Sequence, residues 1–160
     1  MAASDPVTSL SAGLLIYDLL SNDTAVKALS NKVFPVVSEA GAVLPYICYR
    51  RSNSVTTQVK SMSGADNQAI EVVCYAETYA ASVKMAEAVR AAMEGGNICY
   101  TDSDGHRLVA RSISLLESEE NWMDDAYMQS MVFNVRINSV APVTPPTPVQ
   151  TPTENNSNNE

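Results

Sequence analysis

Basic residues are scarce in this chain, and so are the residues from which most active sites are built. Lysine and arginine number 10 against 18 aspartates and glutamates, giving a formal net charge of −8 over 160 residues. Broad, tight binding to a nucleic-acid backbone relies on clustered cations, and this balance argues against it. It leaves open a surface past which DNA slides, because a negative wall repels phosphate. The three cysteines, Cys48, Cys74 and Cys99, lie far apart. A zinc site draws on close pairs such as C-x-x-C, and none exists here. Their strand-like apolar settings predict three reduced, buried, small hydrophobes. No apolar run approaches the ~20 residues that span a bilayer, so no membrane partner is expected. The opening MAASDPVTSL lacks the basic-then-apolar order of a secretory signal.

Catalytic signatures are missing as well. There is no G-x-S-x-G, no Gly-rich phosphate loop and no H-E-x-x-H. The one histidine, His106, follows Asp102-Ser103-Asp104-Gly105 and lies near Cys99 in sequence. A dyad or metal site can be drawn from these residues, but a hairpin turn explains Asp104-Gly105 without either. A calcium loop needs more oxygen ligands and a distal Glu. Glu119, Glu120, Asp124 and Asp125 are able to pair as acid and base, yet clustered carboxylates at an exposed turn are ordinarily solvated. No catalytic, cofactor-binding or metal-binding residue is assigned, and no enzyme is expected.

What is present is a patterned core. Apolar residues make up 46% of the chain, enough for one domain with a real interior. In Ala69–Met93, Ile70, Val72, Cys74 and Ala76 alternate with Glu71, Val73 and Tyr75, which is a strand period. At Glu77-Thr78 the period changes. Met85, Ala86, Val89, Ala92 and Met93 then fall on one helical stripe, opposite Lys84, Glu87, Arg90 and Glu94. Thr78 is a candidate N-cap. Gly95-Gly96 is expected to end the helix through a left-handed residue. A strand that turns directly into an amphipathic helix implies a sheet with a helix on its face.

The remaining chain fits that plan. Ser9–Leu20 reads as a first helix with an unusually broad apolar surface. Leu10, Leu14 and Tyr17 form one stripe, and Leu15, Ile16, Leu19 and Leu20 widen it. Such a helix is covered on more than one side, by the sheet and by a neighbouring subunit. Asp23 or Asn22 caps a short helix, Thr24–Leu29. Val36–Val43 is a loop, and Pro45–Arg51 a strand. Residues 52–68 are small and polar, with Ser61–Asn67 expected as a loop. Asn97–Thr101, His106–Leu116 and Tyr127–Asn138 are further strands. Between the last two lies Glu117–Asp125, with five carboxylates in nine residues and the chain's one Trp, Trp122. This stretch is expected to be a turn. Residues 141–160 hold five of the eight prolines. The expected division is a flexible arm over 1–8, an α+β domain over 9–140 and a disordered Pro/Asn-rich tail over 141–160. The expected fold is a mixed or antiparallel sheet of four to five strands, with two main helices packed on one face and a long β-hairpin.

Two stretches carry a resemblance. One is E-V-x-C-Y-A-E-T-Y-x-x-x-x-x-M-A-E-A-V-R-A-A-M, from Glu71 to Met93. The other is LLIYDLLSNDTAVKALSNKVFPVVSEAGAVLPYICYRR, from Leu14 to Arg51, with its Val33-Phe34-Pro35 and Leu44-Pro45-Tyr46. In order and spacing they resemble the tail-completion, or tail-terminator, proteins of long-tailed bacteriophages and gene-transfer particles. The resemblance covers roughly residues 10–138. It implies a structural virion protein in the tail or neck, assembled in the cytoplasm of the bacterial host. It implies a ring, commonly a hexamer, at the head-proximal end of the tail. That ring stops tail-tube polymerisation and offers its other face to the head connector, while DNA passes through its lumen without specific binding. The implied partners are further copies of the chain, the tail tube protein and the connector or neck protein. The competing reading is a non-ring neck or adaptor module. Trp122 is the candidate anchor of an interface, with Glu119, Glu120, Asp124 and Asp125 around it. A lone Trp in an acidic stretch is a poor choice for solubility and a good one for a partner.

Overall fold

The computed structural model describes residues 8–57 and 65–139. A 3-10 turn over Ser9–Ser11 leads into α1 (Ala12–Asn22), followed by α2 (Thr24–Leu29), β1 (Val33–Pro35) and β2 (Tyr46–Thr57). Then come β3 (Ala65–Ala76), α3 (Tyr79–Met93), β4 (Gly95–Thr101), β5 (Arg107–Met123) and β6 (Ala126–Ser139). The expected arm, apart from Thr8, and the expected tail over 141–160 fall outside the described residues. Of the loop expected at Ser61–Asn67, the last three residues, Ala65–Asn67, are the start of β3.

The strands form one sheet in the order β1-β2-β3-β6-β5-β4. β1 runs parallel to β2, and the other neighbours pair antiparallel. The fold is α+β with a mixed sheet, as expected, but among the described residues it has six strands rather than four or five. The extra one is Val33-Phe34-Pro35. Three residues are too few to show a period, and only pairing with Ile47–Tyr49 makes them a strand. Both long helices lie on one face. α1 touches β1 and β2 near one edge and β4 at the other, so the sheet curls around it.

The central elements follow their local chemistry. Ile70, Val72, Cys74 and Ala76 point into the core with Phe133, Val135 and Ile137 of β6. α3 lays Met85, Val89 and Met93 against them, and the Thr78 hydroxyl caps its start by accepting from Ala81 N–H at 3.2 Å. Asp23 caps α2 in the same way, through Val26 N–H at 2.9 Å. The end of α3 departs from expectation. Glu94 is its extended C-cap, and Gly95-Gly96 open β4. The left-handed residue that follows is Asn97, inside β4, with φ 57°. Gly96 serves a different purpose, since a Cβ there would lie 2.9 Å from the Arg111 carbonyl oxygen. The absent side chain lets β4 approach β5 where Arg111 bulges out of the ladder.

The acidic stretch is also not a turn. β5 continues to Met123, and only Asp124-Asp125 connect it to β6. Both have positive φ, 53° and 59°, as a two-residue type I′ hairpin turn requires. β5 breaks its register twice, around Arg111 and Leu116. Each bulge moves the inward residues from even to odd numbers or back. Leu108 and Ala110 face the helices, then Ile113 and Leu115, and then Ser118, Glu120 and Trp122, which pair with Met131, Gln129 and Tyr127. No single alternation runs through β5, so the strand looked shorter than it is.

Candidate protein-interaction surfaces

The distal half of β5 is a free edge. β4 pairs only with Arg107–Ile113, so from Ser114 onward β5 has a strand neighbour on the β6 side alone among the described residues. A bare edge invites indiscriminate strand addition, and Glu117, Glu119 and Glu120 blunt it with charge. The five carboxylates of Glu117–Asp125 have no Lys or Arg among them. The candidate residues Glu119, Glu120, Trp122, Asp124 and Asp125 thus lie at one end of the β5–β6 hairpin, and all five are exposed.

At that end the polar and aromatic groups are organised. The Trp122 ring packs edge-on to Tyr127, with centroids 4.6 Å apart, and Tyr127 packs edge-on to Tyr79 at 5.9 Å. Trp122 remains 53% exposed, so it rests on the sheet without entering the core. The three rings and Glu120 border a cleft of about 190 Å³. Gln129 Nε2 donates to Glu120 at 3.1 Å. The Tyr79 hydroxyl also bonds Glu120, and this bond to a carboxylate holds the phenol above its ordinary pKa. Met123 and Leu116 are further exposed apolar residues of β5.

A second surface lies at the β1 edge. α1 buries Ala12, Leu15, Ile16 and Leu20, while Leu10, Leu14 and Tyr17 remain 64%, 51% and 47% exposed. The stripe read as reaching beyond the sheet is therefore left open on the monomer. Leu14 and Tyr17 form one wall of a groove of about 770 Å³, whose other wall includes Phe34, Pro35 and Val43. Val36 and Val37 stand exposed at the end of β1. This groove was not among the sequence-derived candidates. Its signal was the excess width of the α1 stripe, which pointed to a surface beyond the sheet but not to the residues that would share it.

The remaining candidates are accounted for locally. The Asp102 carboxylate accepts from the backbone N–H of Asp104 at 2.9 Å and of His106 at 2.8 Å. Its second oxygen meets His106 Nδ1 at 2.8 Å. Burial pushes this carboxyl up, but the hydrogen bonds from His106 and Asp104 outweigh it and leave it below its ordinary value. Asp102, Asp104 and His106 offer ligand atoms within 4.8 Å of one another, but the Asp102 oxygens already close the turn. Cys99 is not part of that group. It is exposed, contrary to the expectation that all three cysteines are buried, and its Sγ accepts from Arg107 Nε at 2.8 Å. β4 is the last strand of the sheet, and Cys99 lies opposite Val109 in the register, on the side away from the helices.

The comparisons with known proteins agree with this architecture. The family model described as "Tail completion protein gp17" matches residues 15–137. No curated protein matches the chain. Among solved structures, a chain described under "Virion of native gene transfer agent (GTA) particle" superposes with a TM-score of 0.62 at 20% sequence identity. The match covers 82% of this chain and 99% of that one, and the likeness is one of fold.

Proposed function

The chain belongs to the tail completion protein gp17 family, whose members are structural components of phage-like tails, and from that premise we propose that it forms a ring at the head-proximal end of the tail. The ring ends tail-tube polymerisation and presents its other face to the head connector. Its work is binding, not catalysis. The observation that carries the ring is the pair of unlike exposed surfaces, the acidic Trp122 end and the apolar β1 groove. A ring is built from heterologous contacts, which need two different faces on each subunit, whereas a two-fold dimer needs one self-complementary face. Assembly takes place in the host cytoplasm, and the product is part of the virion.

In this reading Trp122 anchors a contact and the carboxylates around it set register and reject wrong partners. A Trp at the centre of an interface contributes ~2 kcal/mol or more. The Trp122→Ala variant is expected to keep the monomer's melting temperature and to lose the capping of tail tubes. Electron micrographs should then show overlong tails or tails without heads. An unfolded variant, or tails of normal length joined to heads, would contradict the role given to Trp122. A wild-type protein that stays monomeric and leaves growing tubes unchanged would remove the ring-terminator function itself.

A further inference from the structure

The register shows how the two surfaces stand relative to each other. One transverse row of the sheet runs Val33, Ile47, Cys74, Gln129, Glu120. It begins on β1, at one free edge, and ends on the unpaired part of β5, at the other. The groove and the acidic end therefore sit at the same level along the strand direction. Copies related by a rotation about an axis along the strands can bring these edges together with no step along that axis. A heterologous contact closes into a ring when it carries no rise and its rotation divides a full turn, and otherwise it runs on as a filament.

Charge and shape favour the same pairing. From Thr24 to Asn53, through α2, β1 and the first half of β2, the chain has four cations, Lys27, Lys32, Arg50 and Arg51, against one carboxylate, Glu39. Arg50 is paired with Glu71 and Glu39 lines the groove together with Lys32, so the excess positive charge of this span is that of Lys27, Lys32 and Arg51, against five clustered carboxylates at the Trp122 end. Lys32 adjoins Val33 and lines the groove. Its Nζ donates to the Val43 carbonyl at 2.7 Å, and it has no carboxylate partner among the described residues. The cleft between Tyr79, Tyr127 and Trp122, with Glu120 on its rim, suits an ammonium group held over ring faces. β1 is three residues long and ends in Pro35, so its edge is a poor template for strand addition and the contact is one of side chains.

Resting on the ring reading above, we infer that the Trp122 end of β5 in one copy docks against the β1 groove of the next copy, with that copy's Lys32 facing Glu120. Charge reversal tests the pairing by sedimentation of the full chain. Lys32→Glu and Glu120→Lys should each weaken self-association at least about tenfold, and the double variant should recover most of the loss, as a direct charge pair does. Thermal melts of the three variants should match the wild type, because both side chains lie outside the core. Lys32→Gln and Glu120→Gln give smaller losses of the same sign if a reversal disturbs folding. Losses that simply accumulate in the double variant overturn the pairing, as does a wild-type protein that sediments only as a monomer. A wild type that caps tubes while positions 32 and 120 stay uncoupled overturns this contact and leaves the ring-terminator function standing. Absence of capping by the wild type removes that function instead.

Discussion

The thiols show how far a residue's chemistry is set by its place in the sheet. Burial pushes Cys74, fully enclosed in β3, up to about 12, so it stays protonated at any physiological pH. Burial also raises Cys48, partly offset by a backbone hydrogen bond from Ser38. Since the thiolate is the reactive form, both are inert as well as inaccessible. Cys99 is the exception. A thiol reagent added to the native protein is expected to modify one cysteine per chain rapidly, and peptide mapping should place the label on Cys99. The other two should react only with unfolding. Rapid labelling of all three would mean that the sheet opens easily at β2 and β3.

At the scale of elements, α3 ties the two halves of the chain together. It packs against α1, α2, β3, β5 and β6, and Val89 at its centre is fully buried. Val89→Asp places a carboxylate there without a partner, at a cost of several kcal/mol against a whole-domain stability of about 5–15 kcal/mol. The variant is expected to be insoluble, or to give a spectrum without a cooperative melt. Recovery of a folded, soluble monomer would mean that the stripe is an interface and not the core. β5 makes the opposite point. Its inner half is core, and its outer half, after two bulges, is a charged edge. One strand thus supplies both stability and a free surface.

For the whole molecule, the excess of negative charge bears on DNA. In the proposed ring the genome passes through without being held, and a net charge of −8 suits a wall that repels phosphate. Binding that depends on phosphate neutralisation weakens as added salt lowers the gain from releasing counterions, so low salt is the most permissive condition. Even there, duplex DNA is expected to show no mobility shift with the purified protein. A shift at low salt that disappears on raising it would place a basic lumen in the ring, built from the Lys32–Arg51 edge, and would leave that edge unavailable to the neighbouring copy.

The sequence by itself determined the central strand and α3, the cap at Thr78 and the family, and narrowed the α2 cap to Asp23 or Asn22, because these rest on local periodicity, short-range hydrogen bonds and ordered spacing. It also marked Trp122 and the surrounding carboxylates as unusual, since a lone Trp among acids is visible without a fold. Only the tertiary structure decided that β5 reaches Met123, because bulges at Arg111 and Leu116 interrupt the alternation on which a strand is recognised. It alone decided that Val33-Phe34-Pro35 is a strand, since three residues acquire that state from a partner. Cys99 was misjudged because its apolar surroundings in sequence do not say that β4 lies at an edge. The opposed placement of the β1 groove and Glu120 could not be read from the chain at all. It depends on five strands taken in register, and pairing across 87 residues, from Val33 to Glu120, leaves no mark in local pattern.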